Sequence, residues 1–210
     1  MKKQLQGTLF IISAPSGAGK TSLVNALVRD TNHLKLSISH TTRKKRPNEI
    51  EGYHYHFISE EKFQQKVAAG DFLEYARVFG NYYGTSQESV EKMLSEGHDV
   101  ILEIDWQGAQ QIKQVMPDSV SVFILPPSLE ALRERLQSRG EDDEDTINHR
   151  MEKAISEISH FDEADYLVIN DDFEDALKSL KAIVRCHRLR TDKQAVINQS
   201  VIEKLLKPGT

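Results

Sequence analysis

The residues best suited to chemistry in this sequence form a short segment, Ala-Pro-Ser-Gly-Ala-Gly-Lys-Thr, which begins at Ala14 and ends at Thr21. An apolar run precedes it and a helix-like pattern follows it, so the segment is predicted to be a P-loop between a strand and a helix. Gly17 and Gly19 allow successive backbone N–H groups to face one phosphate, and the helix N-terminus adds its positive dipole. We expect Lys20 to reach the β- and γ-phosphates of a nucleotide, and the Thr21 hydroxyl to hold Mg²⁺.

One position of this segment departs from the usual P-loop pattern, because Ala14 stands where the first glycine belongs. The phosphate cradle depends mostly on Gly17, Gly19 and Lys20, so the departure does not remove the prediction. The alternative is a glycine-containing turn that binds nothing. The residues of this segment predicted to bind a nucleotide are Ala14, Pro15, Ser16, Gly17, Ala18, Gly19, Lys20 and Thr21.

A second group of candidate anion ligands lies downstream of the P-loop. Transfer of a phosphoryl group needs mainly positioning and positive charge around the phosphate oxygens. Residues 39–47, Ser-His-Thr-Thr-Arg-Lys-Lys-Arg-Pro, follow a predicted strand, and Arg43 and Arg46 can each offer a forked pair of donors to a phosphate. The phenol hydroxyls of Tyr55 and Tyr83 are suited to the same task. A solvated basic loop and packed tyrosines are the alternatives.

Two acidic residues are candidates for more specific contacts. Glu74 lies in a half-apolar strand pattern, where its carboxylate either faces solvent or accepts two hydrogen bonds from the adjacent N1–H and N2–H₂ donors of guanine. Asp105 ends a buried strand, much like a Walker B position. The sequence leaves open whether Asp105 orients Mg²⁺, polarises a basic ligand, contacts the acceptor or caps the next helix. His54 and His56 lack a nearby Cys or His partner, so we expect no metal site there.

Composition and charge exclude several classes of protein. The 210 residues, 39% apolar and 28% charged, fit an ordinary globular protein with one domain or one core with insertions. The net charge of −5 argues against nucleic acid as the main partner. Cys186 is the only cysteine, which excludes an intrachain disulfide. The polar first residues and the lack of an apolar run of ~18 residues predict a cytoplasmic location without a membrane partner.

The elements that must position these residues alternate between short apolar runs and helical patterns. Strands are predicted over residues 8–13, 34–39, 99–104, 120–125 and 166–169, and helices near residues 21–29, 86–96, 108–116, 128–138, 146–161 and 173–190. Helical crossovers at this spacing predict an α/β fold with a parallel sheet covered on both faces. Two regions interrupt the alternation. Residues 40–84 are predicted to form a β-rich insertion, with short strands over 54–58 and 72–78, and residues 135–150 are dominated by charge.

Taken together, these motifs resemble the guanylate kinase family, whose members transfer a phosphoryl group from ATP to GMP. Besides the P-loop and residues 39–47, the resemblance rests on Glu51-Gly-Tyr-His-Tyr-His-Phe57, Asn81-Tyr-Tyr-Gly84, Ile104-Asp-Trp-Gln-Gly108, Arg135…Ser138-Arg139-Gly140 and Ile147-Asn-His-Arg150. It covers nearly the whole chain in one order. The resemblance implies a P-loop nucleoside-monophosphate-kinase fold: a core of residues 1–38, 86–134 and 151–210, a GMP-binding insertion of residues 39–85, and a mobile lid of residues 135–150.

The resemblance also implies roles for individual residues. The implied ligands of the GMP phosphate are Arg43, Arg46, Tyr55 and Tyr83, and the residues implied around guanine are Ser39, Glu74, Thr85 and Asp105. Those implied at the ATP phosphates, together with Lys20, are Arg135, Arg139 and Arg150. Asn170 and Asp171 fall near the implied adenine pocket. Thr85 stands where the family often has serine, and it keeps the hydroxyl.

Two other functions stay open from the sequence. One is a guanylate-kinase-like scaffold domain that binds a protein partner, although such domains typically lose the ATP side, and Lys20 and Thr21 are present here. The other is a small-molecule kinase with a different phosphorylated acceptor, although Glu74 with Ser39 suits a guanine edge. The sequence favours direct, Mg²⁺-dependent transfer of the ATP γ-phosphoryl group to GMP, and also to dGMP, without a phosphoenzyme. It leaves the oligomeric state open.

Overall fold

The computed structural model describes residues 6–78, 80–138 and 144–207. Its strands, in chain order, are β1 (Leu9–Ser13), β2 (Leu34–Leu36), β3 (His40–Thr41), β4 (His56–Phe57), β5 (Phe72–Val78), β6 (Asn81–Ser86), β7 (Asp99–Glu103), β8 (Val120–Leu125) and β9 (Tyr166–Ile169). Its α-helices are α1 (Lys20–Asp30), α2 (Glu60–Ala69), α3 (Gln87–Ser95), α4 (Trp106–Val115), α5 (Leu129–Gln137), α6 (Glu144–Ile158), α7 (Phe173–Arg188), α8 (Thr191–Ile197) and α9 (Gln199–Leu206).

The main sheet has five parallel strands in the order β2-β7-β1-β8-β9. All five residues of the central strand β1 are buried, because helices cover both faces of the sheet. Phe10 and Ile12 point to a core shared with α1 and α7, whereas Leu9 and Ile11 point to a core shared with α3 and α4. The predicted α/β fold with a parallel sheet is therefore confirmed.

The second sheet has four strands in the order β4-β3-β6-β5, and it mixes one parallel pair with two antiparallel pairs. The sequence predicts a β-rich segment here but misses helix α2, which packs the buried ring of Phe63 4.7 Å from the ring of Phe72. Its start is marked by Ser59, whose hydroxyl accepts the Lys62 N–H, and its end by Gly70 at a φ of 73°. The division of the chain into core, insertion and lid stays a prediction.

The C-terminal part of the chain also differs from the prediction, because α8 and α9 follow the predicted helix that ends near residue 190. Neither helix contains a buried residue, and several apolar side chains of α9 are exposed, among them Val201, Leu205 and Leu206. The apolar residues of α9 recur at helical spacing, but none of them is buried. Among the described residues, no helix is both long and apolar enough to span a bilayer.

The parallel arrangement determines where the candidate site lies. The carboxyl ends of parallel strands meet at one edge of a sheet, so the segments that follow β1, β7 and β9 are neighbours there. These segments contain the P-loop, Asp105 and Asn170, respectively. The fold thus brings together candidate residues that lie more than 150 positions apart in the chain.

At the opposite edge of the sheet, a buried carboxylate ties β7 to β1 and α7. Asp99 Oδ1 accepts the Thr8 N–H at 2.7 Å, and Asp99 Oδ2 accepts the Arg188 Nε–H at 2.7 Å. We expect Asp99→Ala to lower the free energy of unfolding by about 2–4 kcal/mol, because it leaves a buried N–H and a guanidinium without their acceptor. Urea unfolding followed by circular dichroism measures this loss.

The matched control is Asp30→Ala. Asp30 also pairs with a basic residue of α7, Lys181 at 2.8 Å, but this pair lies at the exposed surface. We expect a much smaller loss of stability than for Asp99→Ala, because exposed ion pairs are screened by water. Equal losses in the two variants would contradict the structural role assigned to Asp99.

Candidate nucleotide-binding site

The P-loop curls around two glycines in the left-handed region, Gly17 at a φ of 92° and Gly19 at a φ of 91°. Gly19 is also the N-cap of α1, and no side chain caps this helix. A Cβ atom on Gly19 would lie 2.4 Å from the Asn170 amide nitrogen, so only glycine fits there. The first N–H groups of α1 are therefore left for an anion.

Side chains from three other elements hold the backbone of the loop. The Asn170 amide, which follows β9, donates to the Ala18 carbonyl at 2.7 Å. Arg135 of α5 donates to the Asn170 carbonyl at 2.8 Å and to the Ala18 carbonyl at 3.5 Å. Glu157 of α6 accepts the Ser16 N–H at 3.1 Å. Both Asn170 and Arg135 thus support the P-loop, while their predicted contacts with ATP stay predictions.

A carboxylate that the sequence analysis did not single out lies at the mouth of the P-loop. Glu103, the last residue of β7, accepts a short hydrogen bond from the Thr21 hydroxyl and lies 3.8 Å from Lys20 Nζ. Lys20 Nζ also donates to the Ile104 carbonyl at 3.2 Å. The sequence feature that could have pointed to Glu103 is an acid at the end of a buried strand, two residues before the predicted Asp105. The Thr21 hydroxyl and the Glu103 carboxylate are hard oxygen donors of the kind that Mg²⁺ prefers, so they fit this ion.

Asp105 caps the helix that follows it. Its Oδ1 accepts the Gly108 N–H at 3.0 Å, and its Oδ2 accepts the Gln107 amide N–H at 3.1 Å. Of the roles that the sequence left open, the structure therefore shows helix capping. Asp105 also lines the cavity described below, so its predicted contact with a ligand stays a prediction.

Glu74 is a buried carboxyl in the wall of the second sheet, only 3% exposed. Its Oε1 accepts the hydroxyl of Thr85, its partner on β6, at 2.5 Å. A Cβ atom on Gly108 would lie 2.6 Å from its Oε2, so the glycine leaves the space that this oxygen needs. Burial raises the pKa of Glu74 to about 7 against the opposing effect of the Thr85 bond, and the negative charge of Asp105 adds to the rise.

Arg43 is held by a second carboxylate that the sequence analysis did not single out. Glu49 Oε1 and Oε2 accept from the two terminal nitrogens of Arg43 at 2.6 and 3.0 Å, and Oε2 also accepts the Arg46 N–H at 2.7 Å. The Arg43 guanidinium carbon lies 5.4 Å from the ring centre of Tyr55. Burial raises the pKa of Tyr55 to about 12, so its phenol stays protonated and able to donate.

One cavity of about 280 Å³ joins the P-loop to the second sheet. Its lining includes the predicted residues Ala14, Pro15, Ser16, Gly17, Gly19, Lys20 and Thr21 on one side and Ser39, Tyr55, Glu74, Tyr83 and Asp105 on the other, together with Glu103 and Glu157. Two separately predicted groups of residues therefore share one space.

Other predicted residues lie outside this lining. Ala18, Thr85 and Asn170 are buried beside it, whereas Arg46 and Asp171 are exposed. Arg43, Arg135 and Arg150 are half-buried and do not line the cavity. Arg139 lies outside the described residues.

If Glu74 binds guanine, as the sequence predicts, its raised pKa makes the affinity for GMP depend on pH. A charged Glu74 offers guanine two acceptors, and the carboxyl loses its charge as the pH falls through about 7. We expect the ratio of two KM values for GMP, that of the parent protein over that of Glu74→Gln, to rise as the pH is lowered from 8 to 6. The phosphate of GMP, with a pKa near ~6, affects both proteins alike. A ratio of KM values that does not change with pH would contradict this role.

The same burial makes a linked prediction for stability, which serves as a control on the folded state. Because the pKa of Glu74 is raised on folding, its favourable contribution is complete below the unfolded pKa and is lost as the pH rises through about 7. We therefore expect Glu74→Gln to melt at a higher temperature than the parent protein at pH 8, while it binds GMP less tightly.

The close approach of Gly108 to Glu74 generates a third prediction. Gly108→Ala would push the Glu74 carboxylate or the first turn of α4 out of place. We expect the KM for GMP to rise about tenfold, which corresponds to about 1.4 kcal/mol, with a much smaller change in the KM for ATP. Gln114→Ala, at an exposed position of the same helix, is the control. An unchanged KM for GMP in Gly108→Ala would show that the packing is not needed.

The whole chain is similar to proteins of one family. The family described as guanylate kinase matches residues 6–187. A guanylate kinase of Saccharophagus degradans is 58% identical over 95% of this chain and 98% of its own. A guanylate kinase of Methylobacillus flagellatus is 55% identical over 96% of this chain and 100% of its own. The crystal structure of guanylate kinase from Anaplasma phagocytophilum has a TM-score of 0.76 at 33% identity, over 90% of this chain and 89% of that one.

Proposed function

Because the chain belongs to the guanylate kinase family and is an ATP:GMP phosphotransferase, we propose that its cavity is where the two nucleotides meet, with the donor phosphates on the P-loop and the acceptor on the second sheet. One observation carries this proposal. The uncapped N-terminus of α1 and the buried carboxyl of Glu74 line the same cavity of about 280 Å³.

The donor half of the proposed site is built on the P-loop. The free N–H groups of α1 and the ammonium of Lys20 supply positive charge to the ATP phosphates. Arg135, Arg139 and Arg150 add further charge to the phosphate chain, and Asn170 with Asp171 borders adenine. Thr21 and Glu103 would hold Mg²⁺, which would neutralise negative charge on the ATP phosphates.

The acceptor half is proposed to read guanine through Glu74. Its two carboxylate oxygens match the N1–H and N2–H₂ donors of guanine, whereas adenine presents an acceptor at N1 that the carboxylate would repel. Ser39, Thr85 and Asp105 surround this contact. Because Glu74 reads only the base, dGMP is proposed as a second acceptor.

The GMP phosphate is proposed to lie on Arg43, Arg46, Tyr55 and Tyr83. Glu49 holds the Arg43 guanidinium by both terminal nitrogens, which fixes its plane before the phosphate arrives. The hydrogen bond from Arg43 also keeps the pKa of Glu49 below its usual range, so the carboxylate stays charged. The phosphate therefore meets an arginine whose charge is partly balanced and whose orientation is already set.

The proposed chemistry is direct in-line transfer of the γ-phosphoryl group. The attacking oxygen of GMP is already an anion, so no strong base is required. The chain supplies charge at Lys20 and at the arginines, where negative charge shifts in the transition state. Closure around both substrates excludes water and limits the hydrolysis of ATP.

Substitutions in the two halves of the proposed site are expected to change different kinetic constants. Lys20→Ala should lower kcat by about 10²–10³, because it removes stabilisation of the transition state. Arg43→Ala should mainly raise the KM for GMP, by about 10- to 150-fold, the equivalent of about 1.5–3 kcal/mol for a charge-assisted hydrogen bond. A coupled assay of ADP release with GMP, dGMP, AMP, UMP and CMP measures both effects.

Lys35→Ala is the matched control for both variants. Lys35 is a half-exposed residue of β2 that pairs with Glu96 at 3.7 Å, away from the cavity. We expect parent kinetics for this variant. A near-normal kcat in Lys20→Ala, or an unchanged KM for GMP in Arg43→Ala, would remove the respective residue from the proposed site.

A further inference from the structure

The helix α6 ends its buried face with a carboxylate. Four residues of α6 are buried, namely Ile147, Met151, Ala154 and Glu157. The first three pack against Leu132 and Leu136 of α5. Glu157 continues the same face but is only 8% exposed and carries an acid, which is costly to bury without a partner.

The partner of Glu157 is the backbone of the P-loop. Its Oε2 accepts the Ser16 N–H at 3.1 Å, a bond between residues 141 positions apart. The next residue of the loop, Gly17, approaches α5 so closely that a Cβ atom would lie 2.9 Å from Leu132. The P-loop is therefore in direct contact with both helices of the α5–α6 pair, with an apolar contact to α5 and a hydrogen bond to α6.

The charges around Glu157 do not account for its position by themselves. Burial raises the pKa of Glu157 and the negative charge of Asp105 adds to the rise, against the opposing effects of the Ser16 hydrogen bond, Lys153 and Lys20. A neutral or charged carboxyl can accept the Ser16 N–H equally well in geometric terms. The hydrogen bond to the Ser16 N–H is the contact that ties this side chain to the P-loop.

Arg150 lies seven residues before Glu157 on α6, which is two turns, or about 10.5 Å along the axis. Residues at this spacing share one side of a helix. A contact that fixes Glu157 therefore fixes both the rotation and the axial position of Arg150. This matters because a displacement of about 1 Å in a positioning group can cost about 100-fold in rate.

We propose that Glu157 is a positioning residue for phosphoryl transfer: its hydrogen bond to the Ser16 N–H holds α6 against the P-loop and thereby sets where Arg150 stands relative to the donor phosphates. The inference rests on the role proposed above for Arg150. It assigns Glu157 no contact with either substrate.

Two uncharged replacements test the bond separately from the charge. Glu157→Gln keeps an oxygen acceptor at the same reach, whereas Glu157→Met keeps the length and suits an apolar face but cannot accept the N–H. We expect Glu157→Gln to retain kcat within about threefold and Glu157→Met to lose about 10- to 100-fold. The KM for GMP should stay the same in both, because none of the proposed acceptor residues lies on α6. Glu152→Met, at an exposed position of α6, is the matched control.

A double-mutant cycle tests whether the effect passes through Arg150. In an Arg150→Ala background, replacing Glu157 by Met should lower kcat by less than about twofold, because the positioned group is already absent. The proposal is overturned if the full loss persists in that background, if Glu157→Gln is as impaired as Glu157→Met, or if Glu157→Met keeps the parent kcat.

The only tryptophan of the chain gives a readout that needs no activity. Trp106 of α4 stacks on His160, two residues beyond the end of α6, with ring centres 3.6 Å apart and planes within 7°. If Glu157 holds this end of α6, Glu157→Met should raise the acrylamide quenching constant of Trp106, and Glu157→Gln should not. Equal quenching in folded Glu157→Met and parent protein would overturn the proposal.

These measurements separate the inference from the proposed site. If Arg150→Ala keeps the parent kcat and Glu157→Met does too, Arg150 is wrongly assigned to the donor site. The Trp106 quenching tests the docking of α6 in either case. Thermal melting confirms that each variant is folded. If Glu157→Met melts below the assay temperature, the test rests on Glu157→Gln. A tenfold loss of kcat in Glu157→Gln would show that the charge of Glu157 is needed, which overturns the proposal.

Discussion

The site depends on one constraint, the amino end of α1 that no side chain caps. With no side-chain cap, the first N–H groups there are open to water or to an anion. The left-handed glycines Gly17 and Gly19 aim them into the cavity. Asn170 and Arg135 donate to the Ala18 carbonyl and take none of the loop N–H groups, whereas Glu157, which lines the cavity, accepts the Ser16 N–H.

Carboxylates balance the positive charge of the site. Glu49 lies on Arg43, Glu103 lies beside Lys20 and Thr21, and Glu157 binds the P-loop backbone. Without nucleotides, a cluster of free cations would repel itself, so these acids fix the orientation of the donors in advance. The fourth acid, Glu74, is different, because it is buried and accepts from a neutral group, the Thr85 hydroxyl.

Much of the fold and part of the site could be predicted from single segments of the sequence. The strand over 166–169 and the α/β order follow from local periodicity, and the P-loop follows from its spacing. Helix α2 was missed because its short amphipathic pattern lies within a segment rich in aromatic and basic residues. The sequence analysis missed the roles of Glu49, Glu103 and Glu157. An acidic residue is common in loops, at strand ends and on helices, and the neighbouring sequence does not indicate which group it will contact.

The sequence by itself therefore determined the chemistry that is local: a phosphate cradle, a sheet with helical crossovers, and family motifs in one order. Only the tertiary structure decided which groups meet, since Glu74 faces Thr85 across two strands and Glu157 reaches Ser16 across 141 residues. The physical reason is that side-chain partners and burial depend on long-range packing. Burial in that packing also brings the pKa of Glu74 to about 7, a value that no neighbour in the sequence could set.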